Sequence, residues 1–191
     1  MGINAFMLGA HSINPDFKAK IVWVNSWFDP GKEADAAKAL FDQGADIITQ
    51  HTDSTAALQV AEERHKLGFG QSSDMIKFAP HAQLTANTDN WGPYYVSRVK
   101  AAMDGTWKPD NVWLGIKDDA VKLAPFTNMP DDVKAMAEAT EKKIAGGWNP
   151  FTGPIAKQDG TPWLKAGEVA DDKTLLGMNF YVQGVDGTLP K

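Results

Sequence analysis

Short apolar runs alternate with amphipathic segments along the first two thirds of the chain. Runs rich in β-branched and aromatic residues predict a buried strand at 21–24, a second strand at 46–50 and a third short strand or turn at 68–71. Between them, Asp29-Pro30 and residues 52–54 are typical helix starts, because capping side chains precede a helical apolar pattern. This succession predicts parallel βαβ units and hence an α/β fold.

The two helices of these units each carry one apolar face. Spacings of three and four residues place on these faces Ala34, Ala37, Leu40 and Phe41 in the first helix, and Ala57, Val60, Ala61 and Arg64 in the second. In an open parallel sheet, the loops that follow the strands lie at one edge, and ligands bind there. We therefore expect the loops at 25–29, 50–54 and 71–74 to lie together and to form a ligand site.

The later part of the chain carries weaker signals. In chain order they predict an alternating polar stretch at 83–90, a helix from Pro93 to Gly105, a strand at 112–116, a helix from Pro130 through Ile144 and a short strand at 178–182. The helix after Pro93 is expected to point four residues inward: Tyr95, Val96, Val99 and Met103. From Gly146 onward, dense glycine, proline and aspartate, as in Asp159-Gly160, indicate turns.

Composition narrows the range of functions. The 191 residues are 43% hydrophobic and 23% charged, as in an ordinary globular protein. The net charge of -5 disfavours polyanions, so we predict no nucleic-acid partner. Disulfides and thiolate metal sites are excluded because there is no cysteine. No apolar run approaches the roughly 20 residues of a membrane helix, so we predict no direct membrane insertion by this chain.

Motifs of known catalytic chemistry are missing from the sequence. There is no G-x-S-x-G elbow and no Walker A motif, and residues 68–70 lack the third glycine of a dinucleotide fingerprint. His51 and Asp53 could ligate a metal, but no second histidine or carboxylate has matching spacing. Lining a pocket, or capping the next helix through Asp53, is the other interpretation. We predict a binding protein without enzymatic activity, cofactor or metal, unless the histidines converge in space.

The strand-end loops mix aromatic rings with hydrogen-bonding groups, as a planar heterocycle or a sugar requires. Residues 25–29 and 87–91 each offer an indole and a carboxylate, and residues 72–74 offer hydroxyls and a carboxylate. The candidate ligand-binding residues are Trp27, Phe28, Asp29, Thr52, Asp53, Ser72, Asp74, Asn87, Asp89 and Trp91. Local roles compete with this interpretation, since Asp29 and Ser54 can cap helices.

Several stretches along the whole chain resemble the basic-membrane-protein family of ABC-transporter substrate-binding proteins. They are residues 2–6, 22–33, 44–48, 72–74, 90–95, 151–155 and 178–185. Their order and spacing, rather than any single motif, carry the resemblance. It implies a type I periplasmic-binding fold, in which two α/β lobes are joined by three crossovers and enclose a ligand cleft.

The resemblance also implies roles for individual residues. Trp27 or its neighbour Phe28 would stack on a purine, and Asp74 with Ser72 would lie in the polar part of the cleft. Nucleoside-binding members carry a lysine near the place of Asp89 and a glycine-rich loop at the place of residues 50–53. The missing lysine favours a free base such as adenine over a nucleoside.

By the same resemblance, residues 1–86 are expected to hold the ligand-binding lobe that is C-terminal in the family. Residues 87–191 would hold hinge-returning segments that complete both lobes, and the C-terminal tail. Members usually carry an upstream export signal and most of the first lobe, so we expect an N-terminally truncated chain whose parent is a periplasmic or cell-surface lipoprotein. The implied function is delivery of a purine base or nucleoside to an ABC permease. The alternative is a cytosolic ligand-sensing or regulatory module, or a non-functional receptor fragment, on the same fold.

Overall fold

The chain is divided into two compact units in the computed structural model, which describes residues 1–190. One unit joins residues 1–23 to the residues from 148 onward, and the other comprises Val24–Gly147. The predicted boundary after residue 86 falls inside a strand of the second unit and coincides with neither edge of the two units. As a division into lobes of a longer protein, it stays a prediction.

The helices and strands of the described residues follow one another as in an α/β protein. The helices are α1 (Gly2–His11), α2 (Pro30–Asp42), α3 (Ala56–Glu63), α4 (Gly92–Met103), α5 (Asp131–Ala145) and α6 (Asp172–Leu176), with a 3-10 turn at Ile116–Asp118. The strands are β1 (Ala19–Lys20), β2 (Ile47–Ile48), β3 (Leu67–Gly70), β4 (Gln83–Asp89), β5 (Val121–Leu123), β6 (Ile155–Ala156), β7 (Pro162–Leu164) and β8 (Val185–Asp186).

The second unit is built on a sheet with the order β2-β3-β4-β5. β2, β3 and β4 are parallel, and β5 adds to β4 in the antiparallel direction. Ile48 pairs with Gly68, and Gly70 pairs with Ala86, so β2, β3 and β4 end at the same edge of the sheet. The predicted βαβ units and α/β class are confirmed, and this edge receives the strand-end loops.

The core of the second unit lies between this sheet and helices α2 and α3. The apolar faces predicted for these helices are confirmed at most positions, since Ala37 and Phe41 are buried on α2 and Ala57, Val60 and Ala61 are buried on α3. The placement of Arg64 on this face is wrong, because it is exposed after the end of α3 and its guanidinium pairs with Asp42 at 2.7 Å. Gly68 allows α3 to approach the sheet closely. A Cβ there would lie 2.8 Å from Ile48 Cγ2 and 2.9 Å from Leu58 Cδ1, too close for any larger residue without a shift.

The strand predicted at 21–24 is wrong. β1 is only Ala19–Lys20, which pairs with β8, and the ladder continues no further than the bond from Ile21 N to Asp186 O at 3.0 Å. Val22 and Trp23 are then exposed, and the Trp23 indole donates to Thr188 O at 3.1 Å. The apolar run therefore leaves the ladder because its next backbone groups meet no neighbouring strand.

The inward face predicted for the helix after Pro93 is also wrong. α4 forms there, but Tyr95, Val96, Val99 and Met103 are all exposed, and Met103 is 82% accessible. The reason is that α4 makes only sparse contact with the other described elements of its unit. The periodicity identified the helix correctly, but a periodic apolar face does not by itself ensure a covering partner.

Two further strand predictions are wrong. The run at 112–116 forms no strand, and the strand of that region is β5, which follows the 3-10 turn and pairs with β4. The run at 178–182 forms only an isolated bridge at Val182, because the ladder with β1 is made by β8 instead. In place of strand pairing, Val112, Trp113 and Leu114 line a cavity, and Tyr181 and Val182 are buried in the core of the first unit.

The first unit has its own small core around α1, β1, β8 and the β6–β7 hairpin. Its buried residues include Met7, Phe151 and Val182. Asn4 is buried in α1 and bridges to the tail, since Nδ2 donates to Phe180 O at 2.8 Å and Oδ1 accepts from Val182 N at 3.1 Å. None of the helices within residues 1–190 has the length and apolar content needed to cross a bilayer.

Candidate functional site

The loops after β2 and β3 meet the segment before α2 at the carboxyl edge of the second unit's sheet, so the three predicted loops lie together although the first does not follow a strand. Asp53 N donates to Trp27 O at 2.8 Å, which ties the loop before α2 to the loop after β2. The His51 ring packs edge-on against the Trp27 indole, with centroids 5.6 Å apart. Gln71 Nε2, from the loop after β3, lies 3.1 Å from His51 Nδ1. We call Trp27, His51, Asp53, Gln71 and Ser72 the strand-end cluster.

The aromatic members of the first loop are open to solvent. Trp27 is 67% exposed and its neighbour Phe28 is nearly as accessible. Large apolar rings beside polar groups at a sheet edge are typical of ligand contact surfaces. Backbone strain accompanies them, because Asn25 and Ser72 adopt the left-handed φ values of 53° and 54° that residues other than glycine seldom use.

The polar members of the strand-end cluster have defined hydrogen-bonding roles. Gln71 Nε2 lies within hydrogen-bond distance of His51 Nδ1, and in the tautomer whose Nδ1 accepts this bond the ring proton lies on Nε2. The same amide nitrogen donates to Ser72 Oγ at 3.0 Å. In that tautomer His51 Nε2 presents a donor, and the Asp53 carboxylate is exposed and presents acceptors. A flat ring with a donor and acceptors nearby can bind the face and edge of a heterocycle.

Asp29 acts as the cap of α2, as the local interpretation predicted. Its Oδ1 accepts from Lys32 N at 3.1 Å, and its Oδ2 lies 3.2 Å from Lys32 Nζ. The bond from the Lys32 amide is the main reason that the pKa of Asp29 is lowered. Ser54 similarly serves the start of α3, because its Oγ accepts from Ala56 N at 3.2 Å. These local bonds account for both carboxylate oxygens of Asp29.

A buried carboxylate lies beneath the two loops. Glu33, on the first turn of α2, is only 3% exposed. Its Oε2 accepts from Ser54 Oγ at 2.6 Å and Thr52 Oγ1 at 2.8 Å, and its Oε1 accepts from Asp29 N at 2.9 Å. Burial raises the pKa of Glu33, but the bonds from Ser54, Asp29 and Thr52 outweigh it and lower the pKa below its ordinary value. Thr52 thus faces Glu33.

Gln50 also holds the loop after β2 by hydrogen bonds within that loop. Gln50 Nε2 donates to Thr52 O at 2.9 Å and to Ser54 O at 2.6 Å. Its Oε1 is buried and has no hydrogen-bond partner within residues 1–190. The main chain that carries His51 and Asp53 is therefore held by the Gln50 side chain and by the bonds of Thr52 and Ser54 to Glu33.

Asp74 is oriented by a buried amide. Gln83, which is 1% exposed on β4, donates from Nε2 to Asp74 Oδ1 at 2.7 Å and accepts from Met75 N at 2.9 Å. Asp74 Oδ1 also accepts from Ile76 N at 3.1 Å, whereas Oδ2 has no partner among the described residues. One carboxylate oxygen of Asp74 is therefore available at the carboxyl edge.

The remaining candidates lie at the end of β4. Asn87 and Asp89 pair with Leu123 and Val121 of β5, and Asn87 is half-buried whereas Asp89 is exposed. Asp89 and Trp91 line a cavity of about 150 Å³, whose other lining residues are Val112, Trp113, Leu114, Ala120 and Val121. None of the residues that line this cavity within residues 1–190 belongs to the strand-end cluster, so the candidates form two groups along one sheet edge.

Several residues that shape this edge were not predicted from the sequence. Glu33 and Gln83 are polar residues within a helix and a strand, and their spacing gave no sign that the fold would bury them. Trp113 was assigned to a strand but lines the cavity with Trp91. His51 was considered as a metal ligand or as lining a pocket, and no group of three metal-ligating side chains occurs within residues 1–190.

A larger cavity of about 290 Å³ lies in the first unit. Its lining includes His11, Trp148 and Gln183. None of the candidate ligand-binding residues belongs to it. The larger cavity is therefore not the predicted site, which is defined by the strand-end loops.

Comparisons with known proteins agree on one family. The family model described as ABC transporter substrate-binding protein PnrA-like matches residues 1–149. A purine-binding protein of Brucella abortus (strain 2308) is 72% identical over 191 residues, which are 100% of this chain and 55% of that protein. A putative ABC transporter glucose-binding protein of Haloferax volcanii is 32% identical over 189 residues, 98% of this chain and 46% of that protein. The chain thus spans about half the length of these relatives.

Solved structures confirm the fold class. A solute-binding protein of an ABC transporter system from Conexibacter woesei superposes with a TM-score of 0.59 at 23% identity, over 74% of this chain and 48% of that one. A transcriptional activator of the comK gene from Bacillus halodurans gives a TM-score of 0.61 at 15% identity, over 76% and 62%. At these identities the likeness concerns the fold alone. It supports the predicted periplasmic-binding-like α/β fold.

Proposed function

We propose that this chain, which belongs to the PnrA-like family of ABC transporter substrate-binding proteins, binds a purine base or nucleoside at the carboxyl edge of its second unit. The family membership agrees with the resemblance found in the sequence. The relatives named above are described as binding proteins, which supports a binding role rather than catalysis.

The strand-end cluster is the observation that carries this proposal. Trp27 offers an exposed indole face, and stacking on such a face suits any planar base. His51 Nε2 can donate to a ring nitrogen or carbonyl oxygen, while Asp53 and Asp74 Oδ2 can accept from an exocyclic amine. A purine needs this combination of one apolar face and a polar edge.

A free base fits the polar groups better than a nucleoside. Asp89 occupies the place where the resemblance expects a lysine in nucleoside-binding members, and it lies beside Trp91 in the cavity at the end of β4. A carboxylate there accepts from an amine, as on adenine, and offers no donor to a ligand. We therefore propose adenine or a similar amino-purine as the preferred ligand.

The physiological role follows from the family. The full-length protein would act outside the cytoplasm, as a lipoprotein, and would pass its ligand to an ABC permease for uptake. The name of the Brucella relative supports a purine ligand, and the name of the Haloferax relative makes a sugar the competing ligand. Aromatic rings and carboxylates also suit a sugar, so the two ligands must be compared in the same assay.

The test is a calorimetric titration of the purified chain with adenine, adenosine, guanosine and glucose. We expect saturable binding of a purine, with adenine tightest. Trp27→Ala should weaken that binding about fivefold to a hundredfold, the range expected for one lost stacking contact. Saturable binding of glucose and no purine would refute the purine assignment.

Trp107→Ala is the matched control for Trp27→Ala. Trp107 is 51% exposed, much like Trp27, and it follows the C-terminal end of α4. It belongs neither to the strand-end cluster nor to the lining of the cavity at the end of β4. The control should bind purine like the unsubstituted chain. Equal losses in both variants would assign the effect to general destabilisation.

A further inference from the structure

We infer that Glu33 is a positioning residue that holds the two aromatic-bearing loops of the strand-end cluster in their ligand-binding arrangement. The inference rests on the proposed function for its effect on ligand affinity, but not for its effect on the loops. Glu33 is buried, so it does not itself contact a ligand. It acts through the loop that carries Trp27 and the loop that carries His51.

One carboxylate bonds to both loops at once. Oε1 accepts from Asp29 N, the second residue after Trp27, at 2.9 Å. Oε2 accepts at 2.8 Å from the hydroxyl of Thr52, which directly follows His51. Bonds to an ionised carboxylate are shorter and stronger than bonds between neutral groups. The separation of the two loops is therefore set from beneath by a single side chain.

A direct bond between the loops completes the arrangement. The bond from Asp53 N to Trp27 O, at 2.8 Å, joins the two loops without involving Glu33. The edge-on contact of His51 with Trp27 depends on both loops keeping this spacing. If Glu33 no longer bonds to both loops, this direct bond is the one hydrogen bond between them among the described residues, because the Gln50 bonds lie within one loop.

Hydrogen bonds alone stabilise the buried charge. Glu33 forms no salt bridge among the described residues, since the nearby Lys32 ammonium lies 3.2 Å from Asp29 instead. In Glu33→Gln the amide oxygen still accepts from Asp29 N, but the NH2 group that replaces Oε2 faces the hydroxyls of Thr52 and Ser54, which lose their acceptor. Glu33→Gln keeps the size and shape of the side chain and so tests the carboxylate rather than packing.

The first experiment measures amide hydrogen exchange without ligand in the unsubstituted chain and in Glu33→Gln. We expect exchange at residues 25–29 and 50–54 to rise at least about tenfold, with no change in β3. Ala37→Gly is the control, because it weakens the same helix one turn away at a buried position that bonds to neither loop. Unchanged exchange in the two loops of Glu33→Gln, or an equal increase in the control, would overturn the inference.

The second experiment titrates the same variants with adenine at a temperature at which circular dichroism shows them folded. We expect binding about tenfold to a hundredfold weaker in Glu33→Gln and unchanged in Ala37→Gly. Ser54→Ala should weaken binding less, and it should add little to Glu33→Gln because their shared bond is already lost. Additive losses, or full affinity in Glu33→Gln, would contradict the positioning role.

The two experiments separate this inference from the proposed function. If the unsubstituted chain binds no purine, the proposed function fails, and hydrogen exchange in the loops still decides the role of Glu33. If the unsubstituted chain binds purine and Glu33→Gln binds it equally well, the positioning role fails and the proposed function stands.

Discussion

The contact between β3 and α3 makes the effect of one added methyl group calculable. In Gly68→Ala the new Cβ would lie 2.8 Å from Ile48 Cγ2, 2.9 Å from Leu58 Cδ1 and 3.1 Å from Ile48 O. All three distances are below ordinary van der Waals contact, and one partner is backbone. Ile48 and Leu58 are both buried, so neither side chain can move into solvent. Overpacking of this kind costs about 1–3 kcal/mol.

Gly31→Ala is the matched control and should have the opposite sign. Gly31 lies in the first turn of α2, where the nearest atom to a new Cβ is Asp29 Oδ1 at 3.5 Å. Alanine there improves helix propensity and should stabilise the unit by up to about 1 kcal/mol. Both variants are glycine-to-alanine changes in the same unit, so Gly31→Ala shows the effect of the added methyl group where there is space for it.

Urea unfolding followed by circular dichroism measures both changes. We expect the free energy of unfolding to fall in Gly68→Ala and to rise in Gly31→Ala. Because β3 ends three residues before Ser73, strain at Gly68 should also weaken purine binding in the titration. A Gly68→Ala variant as stable as the unsubstituted chain, within about 0.5 kcal/mol, would refute the close packing of β3 and α3.

Two further predictions concern buried polar groups. The pKa of Glu33 is lowered on folding, so the ionised carboxylate stabilises the fold fully above pH 4.5, its ordinary pKa, and this stabilisation is lost as pH falls through the pKa of the folded state. The difference in unfolding free energy between the unsubstituted chain and Glu33→Gln should therefore shrink below about pH 4.5. A constant difference from pH 7 to pH 3 would contradict this prediction. Gln83→Met should cost about 1–3 kcal/mol by leaving Met75 N unsatisfied, and unchanged urea unfolding would show that this buried bond contributes nothing.

The sequence predicted helix starts and buried helix faces correctly where residues close together in the chain determine them. Asp29 followed by Pro30 predicted the start of α2, and the apolar spacing predicted which faces of α2 and α3 are buried. Parallel topology placed the loops after β2 and β3 at one edge, and contacts confirm that the loop at 25–29 joins them there although the strand predicted before it does not form. These predictions succeed because the caps and faces depend on residues within one or two turns of each other.

The failures have a shared physical origin. Residues 21–24 and 112–116 have strand-like composition, but a strand also needs a neighbour for its backbone groups, and sequence alone does not identify that neighbour. The apolar face of α4 likewise has no covering element among the described residues of its unit. Glu33 escaped notice because a glutamate on a first helical turn is ordinarily exposed, and only the tertiary fold places the hydroxyls of Thr52 and Ser54 above it.

The direct bond between Asp53 N and Trp27 O has an evolutionary consequence. It joins main-chain atoms, and Glu33 reaches the first loop through another main-chain amide, that of Asp29. The support of the site is thus largely independent of the exposed side chains that would meet a ligand. Substitutions at Trp27 or His51 can change ligand preference at little cost to folding, because neither ring is needed to hold the loops. Under the proposed function, ligand preference can therefore change while the main-chain frame stays the same.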